Sequence, residues 1–185
     1  YNTAHIKGNS MKNGLSDKTV YRHKYQPYPW NLESARFRFE IGDDSTRVFS
    51  TLKLRRRAGI DTGTGIELDG QDMELVSLAL NGEALNAGSY DVSDARLVIH
   101  DAPEQCELDI QVRIKPHENT ALEGLYPSSD FLLTQCEAEG FRKITFFPDR
   151  PDVMTCYDVT IVADKKRYPV LLSNGNAVDA GNLDD

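Results

Sequence analysis

The sequence predicts an all-β protein: an antiparallel β-sandwich or related stack of sheets, with many short strands and little helix. Apolar and polar residues alternate with period two along several runs, the mark of half-buried strands. Turn residues interrupt these runs about every eight to twelve positions, the spacing of sandwiches and related sheet stacks. No long segment carries the 3.6-residue period of an amphipathic helix.

The first clear strand begins near residue 34, where Ala35, Phe37, Phe39 and Ile41 alternate with Arg36, Arg38 and Glu40. Gly42-Asp43-Asp44-Ser45 then reads as a turn. Val48 to Arg55 is the next strand, with Leu52 and Leu54 on one face and Lys53 and Arg55 on the other. Gly59 to Gly65, rich in Gly and Thr, reads as a loop. Met73 to Leu80 ends at Asn81-Gly82, the dipeptide favoured in type I′ hairpin turns. Tyr90 to Val92 and Arg96 to His100 are short strands around Ser93-Asp94. Leu108, Ile110, Val112 and Ile114 alternate with Asp109, Gln111 and Arg113 until Pro116 stops the run. Leu132 to Glu137, Lys143 to Phe147, Tyr157 to Ala163 and Val170 to Ser173 complete the expected strands. Pro151 to Met154 suits a single helical turn, because proline fits a first helical position.

Residues 1–17 are polar and lack the apolar centre of a secretory signal, so they read as a disordered leader or a vector-derived segment, with Met11 a candidate natural start. Residues 18–185 read as one domain without an internal linker. The Asn-, Asp- and Gly-rich stretch after Gly175 offers no closing strand, which suggests a domain cut from a longer protein.

Composition narrows the partners. Apolar residues make up 39% of the 185 and charged residues 27%, which excludes wholesale disorder. The net charge of −8 comes from scattered acidic residues and disfavours nucleic acid as a partner. The densest basic run, Arg55-Arg56-Arg57 after Lys53, reads as a solvated strand end. No apolar run approaches the roughly 18 residues that would span a bilayer, so no membrane is expected. Cys106, Cys136 and Cys156 form no C-x-x-C pair. Each reads as a small buried hydrophobe in a reducing compartment, with the cytoplasm the expected location.

Catalytic motifs are sparse. His117-Glu118 starts like the His-Glu-x-x-His zinc motif, but position 121 is Ala and Pro116 places the pair in a loop. His5, His23 and His100 have no partner at ligand spacing, so no metal site is expected within this chain. There is no Gly-x-Ser-x-Gly elbow, and the acidic neighbours of Cys136 would raise its thiol pKa. The informative stretch is Thr134 to Arg142. If extended, it places Gln135, Glu137 and Glu139 on one face, and the small residues Cys136, Ala138 and Gly140 on the other. Two carboxylates at i and i+2 repel on a shared, partly buried face, so such a ridge suits a bound cation. It equally suits a solvated edge strand with acidic gatekeepers. Pattern alone leaves both open.

Asn119 to Tyr126, Thr134 to Arg142, Asp149-Arg150-Pro151-Asp152-Val153, Ala163-Asp164-Lys165, Tyr168-Pro169 and Leu171 to Asn176 together resemble the signature blocks of the first domain of the aminopeptidase N family. The bacterial branch is the nearest likeness, and the resemblance covers roughly residues 18 to 182. It implies a saddle-shaped β-domain from a zinc-dependent exopeptidase that removes single residues from peptide N-termini. It implies also that zinc and its ligands belong to a catalytic domain of the same polypeptide, absent here, and that this chain is inactive alone. The peptide N-terminus is then the substrate, and Gln135 and Glu137 match the family's acceptors for its free α-amine. Asp149 and Arg150 read as a local ion pair of the scaffold, while Tyr126 fits either the cleft or the packing beneath it. A freestanding β-sandwich that binds peptides or proteins is the competing reading. A carbohydrate-binding sandwich is disfavoured, since Trp30 is the only tryptophan.

Overall fold

The computed structural model describes residues 21–183, so the expected leader over 1–17 lies outside the described residues. Eleven strands follow in order. They are β1 (Trp30–Ile41), β2 (Thr46–Arg56), β3 (Ile66–Asp69), β4 (Glu74–Leu80), β5 (Glu83–Ala84), β6 (Tyr90–Val92), β7 (Arg96–Ile99), β8 (Gln105–Ile114), β9 (Gly124–Ser128), β10 (Phe131–Gln135) and β11 (Cys156–Ala163). Helix among the described residues is limited to 3₁₀ turns at Arg22–Lys24, Pro116–Glu118 and Phe141–Lys143. None is long and apolar enough to cross a membrane. The protein is all-β, as its residue pattern predicts.

Six strands form the main sheet in the order β11-β1-β2-β8-β4-β5, with β3-β7-β6 as a second sheet and β9-β10 as a hairpin. Alternation explains the packing. On β2, Val48, Leu52 and Leu54 are buried, and on β8 their register partners Val112, Leu108 and Cys106 are buried beside them. Ile66, Leu68, Leu97 and Ile99 of the second sheet join the same core, so the two sheets share one apolar interior. The intervening polar positions pair across strands, as in Arg47 with Glu40 at 2.6 Å and Arg113 with Glu74 at 2.9 Å. A bulge between Leu32 and Ser34 shifts the parity of β1. Trp30 and Leu32 face the core before it, and Ala35 and Phe37 after it. The Asn81-Gly82 turn has φ of 53° and 82°, the positive pair that a type I′ turn requires.

Several expectations need correction. Lys143 to Phe147 is not a strand: Phe141–Lys143 is a 3₁₀ turn, and only Phe147 makes a bridge, to Asp69. Its apolar run is instead a segment crossing the core, with Ile144, Thr145 and Phe146 all buried. Phe146 lies against Gly70, where a Cβ would come within 2.2 Å of its ring. Val170 to Ser173 pairs with no strand among the described residues and leaves Val170, Leu171 and Leu172 exposed. Pro151 sits in a hydrogen-bonded turn, Val153 N–H donating to Arg150 O at 3.2 Å, rather than opening a helix. The basic run is only partly solvated. Arg56 is buried, donates to Ala102 O and lies 4.7 Å from the Trp30 ring centroid. Among the cysteines, Cys106 is buried, Cys136 half-buried and Cys156 exposed. β11 pairs with β1 in parallel, the one parallel pairing among the described residues, whose other strand pairs are antiparallel.

β11 is an edge strand of eight residues without Pro or a bulge, in contrast to the two-residue β5 at the opposite edge. Exposed Tyr157, Val170 and Leu172 lie on it or follow it in the chain. Long uninterrupted edges and exposed apolar side chains favour association. The isolated chain is expected to self-associate modestly, and sedimentation velocity across a concentration series checks this; a sedimentation coefficient independent of concentration would refute it.

Candidate functional site

The stretch from Thr134 to Arg142 divides at Gln135. Thr134 and Gln135 end β10, paired with Leu125 and Gly124 of β9. Residues 137–140 then turn into the 3₁₀ turn at Phe141–Lys143. The extended ridge of Gln135, Glu137 and Glu139 is therefore not formed. Gly140 is the physical reason. Its N–H donates to Cys136 O at 3.0 Å, and a Cβ there would stand 2.6 Å from Gln135 O and 2.8 Å from Cys136 Cα. The close approach that the small residues permit is that of the chain to itself. Gly124 adds to it, with φ of 75° and its Cα facing Lys143. The Glu137–Ala138 peptide is cis.

Gln135 and Glu137 are exposed and adjacent, the Gln135 amide donating to Glu137 O at 3.3 Å. The carboxylate of Glu137 and the Gln135 Oε1 have no partner among the described residues. Glu139 differs, because its Oε2 lies 3.3 Å from Arg142 Nη2. Arg142 also donates through Nε to Asp149 Oδ2 at 3.0 Å and through Nη2 to Asp149 O at 3.0 Å. Asp69 stands 3.8 Å from the same guanidinium. Burial pushes the Asp69 carboxyl above its ordinary pKa, against the pull of Arg142 and Arg96. Burial also works against the Arg142 charge, but the Asp149 hydrogen bond and the surrounding carboxylates outweigh it and raise its pKa. The Cys136 thiol is pushed up to about 11, first by burial and then by the charge of Asp149. The direction is the one expected from acidic neighbours, but the carboxylate responsible is Asp149 and not Glu137 or Glu139.

The expected ion pair of Asp149 with Arg150 does not form. Asp149 takes Arg142, while Arg150 takes Asp152 at 2.8 Å. Asp152 also accepts from Tyr25 Oη at 2.8 Å and from Tyr28 N–H at 3.2 Å. Arg150 donates to Gln26 O at 2.8 Å, closing a clasp between residues 25–28 and the turn at Pro151. Nothing in residue spacing signals this clasp, whose partners lie 124 or more positions apart. Tyr126 is half-buried on β9 opposite Leu133. His117 lies exposed in the 3₁₀ turn after β8, its Nε2 3.5 Å from Arg167. No group of three or more His, Cys, Asp or Glu among the described residues is placed to hold a metal ion. A cleft of about 560 Å³ opens beside Asp72, Glu74, Arg113, Lys115, Glu118 and Lys143, away from Gln135 and Glu137. Its charges pair with each other, as Lys143 does with Asp72 at 2.6 Å.

Residues 58–185 match the Peptidase M1 N-terminal domain. The chain belongs to that family. The aminopeptidase N of Caulobacter vibrioides is 48% identical over 160 residues, which are 86% of this chain and 18% of that protein. The crystal structure of Legionella pneumophila aminopeptidase A in complex with aspartic acid superposes with a TM-score of 0.79 at 29% identity, over 85% of this chain and 19% of that one. An M1 zinc metallopeptidase from Deinococcus radiodurans is alike in fold, with a TM-score of 0.59 at 14% identity over 72% of this chain and 32% of that one. This M1 domain thus spans under a fifth of the length of the Caulobacter relative.

The clasp makes a pH prediction. The hydrogen bond from Arg150 holds the Asp152 carboxyl well below the usual carboxylate range, against a smaller opposing effect of burial, with Tyr25 and Tyr28 helping. A depressed folded pKa contributes stability above the unfolded value of about 3.9, and that stability fades as pH falls below it. The raised Asp69 acts with the opposite sign and offsets part of the loss. Asp152→Asn is expected to cost about 1–2 kcal/mol near pH 7 and progressively less below about pH 4. Urea unfolding of both proteins at pH 7 and pH 3 checks it; an equal difference at the two values would refute it.

Proposed function

We propose that this chain is the N-terminal, non-catalytic domain of a zinc aminopeptidase that removes N-terminal residues from peptides. It covers one side of an active site whose zinc ligands lie in a catalytic domain of the same polypeptide. Gln135 and Glu137 accept hydrogen bonds from the substrate's free α-amine. One observation carries the reading: the Glu137 carboxylate and the Gln135 Oε1 stand exposed beside each other at the end of β10, unpartnered among the described residues, on a turn that Gly140 and Arg142 tie to the scaffold. Family membership and relatives named as aminopeptidases support it. In this reading the domain's part is positioning of the substrate. A reducing compartment such as the cytoplasm suits the three unpaired cysteines.

The chemistry suits the substrate class. A peptide α-amine has a pKa of about 7.7–8.0, so at neutral pH it is largely an ammonium with three donors. A fixed carboxylate beside a neutral amide oxygen matches that group in charge and geometry. An acylated or internal nitrogen brings no cation, so burying Glu137 against it would cost desolvation without return. The pair therefore selects chain ends and sets the distance from the amine to the scissile carbonyl.

Glu137→Gln in the full-length protein keeps the shape and removes the charge. It is expected to lower kcat/KM for an amino-acyl anilide about ten- to a hundred-fold, the worth of one charge-assisted hydrogen bond. Steady-state kinetics with zinc content measured in parallel checks this. An unaltered rate would make the acceptors part of the scaffold.

A further inference from the structure

We propose that Arg142 is a positioning residue for the α-amine site, acting through Glu139 to hold the turn that carries Glu137; this rests on the functional reading above. The geometry is that of a built anchor. The Arg142 guanidinium is mostly buried and stands between three carboxylates drawn from separate parts of the chain. Asp149 fixes it on the inside with a fork of two hydrogen bonds, one to the carboxylate and one to the carbonyl. Asp69, at the end of β3, flanks it at 3.8 Å. The main chain is held as well, since Arg142 N–H donates to Asp149 Oδ2 at 3.1 Å and Arg142 O accepts from Gln71 N–H at 2.8 Å. Phe141, next in the chain, packs edge-on to Phe37 and Phe147 with centroids 5.2 and 5.0 Å away.

What remains of the guanidinium reaches outward to Glu139 at 3.3 Å. Asp149 and Asp69 already neutralise it, so the third carboxylate adds nothing to charge balance. Its effect is geometric. The turn from residue 137 to 140 is held at one end by Gly140 on Cys136 and along its length by Glu139 on Arg142. With both in place, the backbone that carries Glu137 is set relative to Gln135, whose amide donates to Glu137 O at 3.3 Å. Without the second, the turn retains its ends and loses its set. A planar guanidinium can serve Asp149 and Glu139 together, whereas a lysine ammonium offers no fork.

The test uses the full-length protein with an amino-acyl anilide. Glu139 is exposed, so Glu139→Gln removes the bridge with little risk to the fold. Its KM is expected to rise about two- to five-fold, the range of one exposed ion pair, with kcat and the thermal midpoint nearly unchanged. Arg142→Lys is expected to shift KM further in the same direction, and combining the two substitutions should add little to Arg142→Lys alone. A Glu139→Gln enzyme with parental KM, beside a Glu137→Gln enzyme that is impaired, would overturn this inference and leave the functional reading standing. Equal losses in kcat and KM effects that follow the thermal midpoint would also overturn it, as marks of a scaffold role. A Glu137→Gln enzyme as fast as the parent would overturn the functional reading and this inference with it.

Discussion

The passage of residues 141–149 through the core constrains everything around it. A strand at this place would pair its backbone with a neighbour, but the segment crosses between the sheets with only one bridge, Asp69 to Phe147. Its buried polar groups must therefore find partners one by one. Thr145, wholly buried, bonds its hydroxyl to that of Ser50 at 2.8 Å, which explains a serine between Val48 and Leu52 on the inner face of β2. Phe146 occupies the space that Gly70 leaves, and any side chain at Gly70 would expel it. Arg142 and Asp149 close the segment at its two ends by bonding to each other. The turn bearing Gln135 and Glu137 leads straight into this segment, so its placement is inherited from the core.

Much of the fold was legible because a sheet with one buried face writes its register into the residues. β2 and β8 alternate without a break and occur as expected, and Asn81-Gly82 specifies its turn because Asn and Gly tolerate the positive φ values it requires. The failures have local causes. β3 is four residues long and follows a glycine-rich loop, too short to show a period. The bulge near Glu33 reverses the parity of β1, which hides its first half from any fixed alternation. Ile144 to Phe146 is buried on every side, and a continuous apolar run does not reveal whether it is a strand. The parallel pairing of β11 with β1 joins residues more than a hundred apart, and nothing local encodes it.

The site was half legible for a similar reason. The family resemblance singled out Gln135 and Glu137 where residue pattern left two readings open, and the two lie side by side at the end of β10. Period-two reasoning ran past the end of β10 at Gln135 and placed Glu137 and Glu139 on a strand face that is not formed. Gly140 ends the strand by bringing its own backbone against Gln135 O, an event no alternation rule anticipates. The small residues of this stretch, Gly140 above all, are what let the chain fold onto itself. Arg142, Asp149 and Asp69 escaped notice as a group because they gather from positions 69 to 149 by tertiary contact alone.

The division of labour between the two glutamates follows from their surroundings. A carboxylate that must accept an ammonium has to keep its lone pairs available, and its placement must be settled before the substrate arrives. An internal cation that fixes a carboxylate competes for its lone pairs and its charge. The turn separates the two demands: Glu139 spends its charge on Arg142, and Glu137, two residues away, keeps its own. Repulsion between them, an objection to two carboxylates on one strand face, is eased because the turn takes them off a shared face and leaves both in solvent. What looked like one acidic ridge is two carboxylates in different surroundings, one exposed without a partner among the described residues and one paired with Arg142.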